Sequence, residues 1–185
     1  MDDTADPSLA GVRRVAAPAT RRVPLDDLDI ALLQLLVKDG RASQRSLAAG
    51  LGVSTPTVSE RMARLEKSGA ITGYAAQIDW NTVGFTETVY VSVRAAAGHD
   101  VASIMEELWK IAEVQEVNLV TGELDLLVRL RVRDNEHLRA LLMDKVWQIA
   151  GMQGTSTMMS VAEMPAKNFP AELLRQMQNG PDANR

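Results

Sequence analysis

A chain of 185 residues with no cysteine has room for one or two modest domains and carries neither disulfides nor thiolate metal sites. Apolar residues make up 46% and charged residues 24%, an ordinary globular balance, and no run approaches the ~18 apolar residues of a membrane span. The net charge of −4 is uneven, with eight Lys/Arg against six Asp/Glu over residues 21–74 and ten against fourteen over residues 81–185, which suits a small nucleic-acid module on an acidic body.

Residues 1–24 are rich in Ala, Pro, Asp and Arg with no hydrophobic period. They read as a disordered arm and not as a signal peptide. Its pairs Arg13-Arg14 and Arg21-Arg22 could touch phosphate, although a solvated tail is the plainer reading.

Three short helices are predicted next. "LDDLDIALLQLLVKDG" places Leu25, Leu28, Leu32, Leu35 and Leu36 at helical spacing and ends at Gly40. "SQRSLAAGLGV" opens on Ser43 as an N-cap and runs into Gly50 and Gly52. "STPTVSERMARLEKSG" starts with Ser54 as its cap, or with Thr57 boxed by Glu60, and has Pro56 in its first turn, where a missing N–H costs little. On that third helix Val58, Met62 and Leu65 form a stripe to be buried, while Pro56, Thr57, Glu60, Arg64 and Lys67 lie opposite and Arg61 flanks them.

Three helices with a tight turn before the last are the pattern of a DNA-binding helix-turn-helix. Small hydroxyls and free N–H groups at the tip of the third helix would let the backbone approach a phosphate, and arginines along it could fork onto guanine edges. An ordinary solvated helix would show the same charges. Two basic side chains cannot hold DNA tightly alone, so an oligomer is expected.

"AITGYAAQIDW" is read as an extended linker ending in a turn at "NTVG". Beyond it the rhythm changes. "TVYVSVR" and "LLVRLRVR" alternate strictly, "VASIMEELWKI" and "NEHLRALLMDKVWQIAG" have helical stripes, and "VQEVNLV" and "TSTMMSVAE" read as strands. The second of those helices is expected to run to Gly151, with Leu138, Leu141, Leu142, Lys145 and Ile149 on one face. The order β-α-β-β-α-β is that of a ferredoxin-like plait. Trp109 and Trp147 are expected in the core or in a subunit contact, and Arg129, Arg131 and Arg133 are expected to pair with cross-strand acids. His99 and His137 lack metal spacing, and neither P-loop, dinucleotide fingerprint nor nucleophile elbow is present. No metal, no cofactor and no enzymatic activity are expected.

The segments "LDDLDIALLQLLVKDGRAS", "LAAGLGVSTPTVSERMARLEKSGAITGYAAQIDWNTVG", "VTGELDLLVRLRVRD" and "GMQGTSTMMSV" occur in an order and spacing that resemble the Lrp/AsnC (feast/famine) transcriptional regulators over residues 25–163. The resemblance implies an α+β chain, an N-terminal winged helix-turn-helix joined to a C-terminal plait. By residue this gives an arm over 1–24, a DNA-binding domain over 25–74, a linker strand over 75–84, an effector-sensing and oligomerisation domain over 85–163 and a tail over 164–185. It implies double-stranded DNA as a partner, met by Ser54, Thr55, Thr57, Arg61 and Arg64. It implies homodimers assembling to tetramers, octamers or higher forms in the cytoplasm, away from membranes. It also implies a small-molecule effector, an amino acid above all, at Gly122, Glu123, Asp125, Thr155 and Thr157. An ammonium could donate to Asp125 and a carboxylate could accept from hydroxyls and N–H groups. Leu124 and Leu126 stand where the family often has aromatics, so its best-known effectors do not transfer automatically. A metabolite-binding oligomer that modulates partner regulators without binding DNA itself is the alternative.

Overall fold

The computed structural model describes residues 22–179 together with Gly11 and Val15. The basic residues Arg13, Arg14 and Arg21 lie outside the described residues, as does the chain after residue 179. The described chain divides into two units, one formed by residues 22–77 with 164–179 and the other by residues 78–163 with Gly11 and Val15.

The first unit holds helices α1 (Asp27–Lys38), α2 (Gln44–Leu51), α3 (Thr55–Lys67) and α6 (Phe169–Asn179). Each of the first three starts where a short polar side chain can satisfy an orphan N–H. Asp26 caps α1, Ser43 Oγ accepts from Ser46 N–H at 3.1 Å, and Ser54 Oγ accepts from Thr57 N–H at 3.3 Å. Ser54 rather than Thr57 is therefore the cap of α3. Gly52 closes α2 at φ +68°, a left-handed conformation that a Cβ would disfavour. Leu32, Leu36, Leu47, Ala48, Val58 and Leu65 form the buried core, with Met62 packed at its edge. Each large side chain among them contributes roughly 1.5–3 kcal/mol on burial. Helix α6 packs against α1, where Gln34 Nε2 donates to Gln178 Oε1 at 2.9 Å. The chain that leaves the second unit thus returns to complete the first.

Residues 72–79, expected to be extended, carry no regular secondary structure, and residues 80–84 form a turn.

The second unit is an α/β plait of strands β1 (Glu87–Ala95), β2 (Val114–Leu119), β3 (Leu126–Val132) and β4 (Met152–Met159), with helices α4 (Val101–Trp109) and α5 (Asn135–Asp144). The four-stranded sheet has the order β2-β3-β1-β4, and every neighbouring pair is antiparallel. Alternation decides its faces. Val89, Val91 and Val93 of β1 and Leu126, Val128, Leu130 and Val132 of β3 are fully buried, clustered with Val101, Ile104 and Leu108 of α4 and Leu138, Leu141 and Leu142 of α5. Tyr90, Arg129 and Arg131 point to the other face.

Helix α5 is shorter than its periodicity predicts. It ends at Asp144, Lys145 breaks the geometry at φ −122°, and Val146–Gln148 form a 3₁₀ turn. The tighter turn changes the angular step per residue. Val146 therefore takes the fully buried place, and Lys145 swings out to Glu113 at 3.1 Å. Trp109 and Trp147 are 63% and 54% exposed, so neither is a core residue of this chain.

Candidate nucleic-acid interface and effector loop

The tip of α3 is built as its cap requires. Ser54, Thr55 and Pro56 are exposed and Thr57 is half-buried, with Ser54 and Thr57 hydroxyls 2.8 Å apart. Their side chains are short; Pro56 has no N–H and the cap takes that of Thr57, so Thr55 supplies the first-turn N–H without an intrahelical partner. Basic side chains at Arg41, Arg45 and Lys67 are exposed in the same unit.

Arg61 and Arg64 are placed differently from free phosphate ligands. Arg61 Nη1 donates to Asp26 Oδ2, and to Asp29 Oδ1 at 3.0 Å, and Arg64 Nη2 donates to Asp29 Oδ2. The Asp29 side chain is fully buried, whereas those of Arg61 and Arg64 are 29% and 43% exposed. Asp29 and Asp26 also exchange backbone contacts, Asp29 N–H donating to Asp26 Oδ1 at 2.9 Å and Asp26 N–H to Asp29 Oδ2 at 3.0 Å. Two aspartates and two arginines thus lock the start of α1 to the middle of α3. Burial works against a charge on Asp29. Hydrogen bonds from Arg64, from the Asp26 amide and from Arg61 outweigh it and hold the carboxyl at about 2, well under its ordinary 3.8. Hydrogen bonds to the two carboxylates raise both guanidinium pKa values, Arg61 first through Asp26 and Arg64 through Asp29.

Asp29 is the residue that sequence reasoning missed. Its signal was a spacing: Asp29, Leu32 and Leu36 fall on one helical stripe, which puts a carboxylate on the core-facing side. First-turn acids are common for their interaction with the helix dipole, and that reading hides the burial.

In the second unit the loop before β3 and the first half of β4 flank the end of β1 on opposite sides. Val93 of β1 pairs with Leu126 on one side and Thr155 on the other, and Val91 pairs with Thr157. Gly122 adopts φ +126°. Asp125 N–H donates to Val93 O at 3.0 Å, its Oδ2 accepts from Ala95 N–H at 2.8 Å, and Glu123 O accepts from Arg94 Nε at 3.3 Å. Thr155 Oγ1 accepts from Trp147 Nε1 at 3.1 Å. One Asp125 oxygen is thus committed to the backbone and the other is left for a further donor. Gly122, Glu123 and Thr157 are exposed, and Asp125 and Thr155 are half-buried.

The geometry can be set beside known proteins. Residues 25–72 match the family model described as winged helix-turn-helix DNA-binding, and residues 88–167 match the Lrp/AsnC ligand binding domain. An HTH-type transcriptional regulator, FL11 of Pyrococcus horikoshii, is 32% identical over 152 residues, covering 79% of this chain and 99% of that protein. The chain belongs to the Lrp/AsnC family. The leucine-responsive regulatory protein of Escherichia coli is 32% identical over 148 residues, covering 78% of this chain and 89% of that one. Among solved structures, AsnC of E. coli superposes with a TM-score of 0.74 at 24% identity, over 79% of this chain and 99% of that chain. A Neisseria meningitidis regulator solved as its L-Met complex gives 0.73 at 24%, over 77% and 94%. These two show the fold. This Lrp/AsnC protein is a DNA-binding transcriptional regulator with a ligand-binding domain, and no helix among its described residues is long and apolar enough to cross a membrane.

Proposed function

We propose that the protein is a cytoplasmic, sequence-specific regulator whose assembly or DNA affinity responds to a small molecule, an amino acid being the class to test first. The observation that carries DNA reading is the exposed Ser54-Thr55-Pro56-Thr57 tip on a helix whose back is anchored by Val58 and Leu65. A rigid helix with a small, hydroxyl-bearing tip enters a major groove without side-chain obstruction. In this reading Ser54, Thr55 and Thr57 meet the groove. Arg61 and Arg64 serve twice: their Asp29 contacts set the pitch of α3, and their remaining N–H groups reach phosphate. Few basic groups per chain imply binding as a homodimer or as a tetramer, octamer or higher form.

The effector reading rests on the loop. Asp125 offers one carboxylate oxygen and the loop offers the open backbone at Gly122 and Glu123 on one side of β1, while Thr155 and Thr157 offer hydroxyls on its other side. An ammonium and a carboxylate match that set. The L-Met complex of the Neisseria protein and the leucine-responsive name of the E. coli relative favour an amino acid. A ligand acts only by preferring one assembly over another.

The test is fluorescence anisotropy on DNA upstream of the protein's own coding region, across a salt series, followed by a thermal-shift screen of the amino acids with sizing of each hit. Thr55→Val and Lys67→Ala test the interface without touching the Asp29 network. Absence of salt-sensitive binding at any promoter fragment refutes DNA reading and leaves the metabolite-binding oligomer. Flat thermal curves across all amino acids refute the effector reading alone.

A further inference from the structure

A cavity of about 320 Å³ opens in the second unit, beside the turn that precedes β1 and away from the Gly122–Asp125 loop. Its volume is at the small end of the ligand-pocket range. The side chains that matter are Trp80, Phe85, Glu113, Arg131, Arg133 and His137. We propose that this cavity is a second ligand site, built for a small organic monocarboxylate with an aromatic or branched apolar body, such as a 2-oxo acid or an arylacetate.

The apolar wall is aromatic. Trp80 meets Phe85 edge to face at 6.2 Å, and Phe85 meets the His137 ring at 6.3 Å. Trp80 is nonetheless 44% exposed, so a ligand body packed on it removes apolar surface from water.

The polar wall is cationic and under-satisfied. Arg131 is 18% exposed, and its contacts are all long: Asn81 Oδ1 at 3.4 Å, Phe85 O at 3.3 Å and Glu163 at 3.6 Å. Its Nε is buried without an acceptor. A guanidinium held so loosely can pivot and present Nε–H and Nη–H together as a fork to a carboxylate. Arg133 lies over the Phe85 ring at 5.7 Å, and among the described residues no carboxylate pairs with it.

Glu113 does not neutralise this wall. His137 Nδ1 accepts from Arg133 N–H at 3.3 Å, which puts the ring proton on Nε2, and Nε2 donates to Glu113 Oε1 at 3.2 Å. Lys145 donates to the same carboxylate at 3.1 and 3.4 Å. With both of its oxygens taken, Glu113 is a poor seat for a ligand ammonium. The cavity therefore selects a carboxylate without an obligatory amine, which separates its ligand from the amino acid proposed for the loop.

The experiment uses the full chain with Trp109→Phe and Trp147→Phe, leaving Trp80 as the remaining indole. Its emission is followed during titration with 4-methyl-2-oxopentanoate, phenylacetate, L-leucine and acetate. The two apolar acids should give saturable changes, with acetate and L-leucine weaker by at least about tenfold. Arg131→Gln and, at a more exposed position, Arg133→Gln should each weaken binding by about tenfold while the circular dichroism of the fold is kept, and Asp125→Asn should leave it within about twofold. No saturable change up to about 10 mM ligand, equal binding by both arginine variants, or equal binding of L-leucine and its oxo acid overturns the assignment. Loss of binding in Asp125→Asn overturns it too, by placing the ligand at the loop. DNA binding enters none of these readouts, so the regulator reading stands or falls separately.

Discussion

Replacing Asp29 with Asn tests whether the start of α1 and the middle of α3 are held by charge. The asparagine keeps the shape and can still accept the Asp26 N–H, but it offers Arg61 and Arg64 no charge. The depression of the Asp29 pKa from 3.8 to about 2 corresponds to roughly 2 kcal/mol of native stability. Removing one partner of a fully buried pair costs about 3–5 kcal/mol. The lower figure applies here because the two arginines are 29% and 43% exposed and can turn to water. A carboxyl depressed in the folded state contributes stability in full above its unfolded pKa near 3.8 and loses it as pH falls through about 2. The gap between wild type and Asp29→Asn should therefore be full at pH 7, roughly half as large at pH 3 and nearly closed at pH 2.

The two units offer separate reporters, since Trp80, Trp109 and Trp147 all lie in residues 78–163. In urea the helical circular dichroism of the variant should shift its midpoint by about 1 M at pH 7, given a slope of about 1–3 kcal/mol per molar. Tryptophan emission should keep its wild-type midpoint. An unmoved dichroism curve, or a gap as large at pH 3 as at pH 7, would refute the charge network as the lock.

Ser54→Ala should cost about 1 kcal/mol and Ser54→Gly only a few tenths, read as urea midpoints, because only the former removes the cap without easing the backbone. Gly122→Ala meets no atom within 4 Å at its new Cβ but must hold φ +126°. It should cost about 1–3 kcal/mol and speed exchange of the Ala95 amide that Asp125 accepts from. Removing residues 164–185 should lower the stability read from the dichroism curve by no more than about 1 kcal/mol, since α6 meets α1 but buries no residue fully and only Ala171 and Leu174 are half-buried, and should leave the tryptophan transition in place.

Local chemistry made much of this protein legible. Ser43 and Ser54 cap because a hydroxyl before an apolar period has an orphan N–H to satisfy, and Gly52 ends α2 because a left-handed residue is needed there. Alternation over "TVYVSVR" and "LLVRLRVR" fixes which side chains are buried, and the run of six elements fixes the plait, since period and order are properties of the chain itself. What the sequence could not decide was partnership across the fold. Arg61 and Arg64 look like free outer-face cations until α1 is folded against α3 and Asp29 is found in the core beneath them. Lys145 sits in a good helical stripe until a 3₁₀ turn gives that place to Val146. Residues 164–179 look like a tail until α6 meets α1. The cavity at Trp80 joins a linker turn, the end of β3 and the start of β2. Periodicity acts over a few residues. Charge pairing, phase breaks and cavities arise only when residues tens or more than a hundred positions apart share one solvent-excluded space.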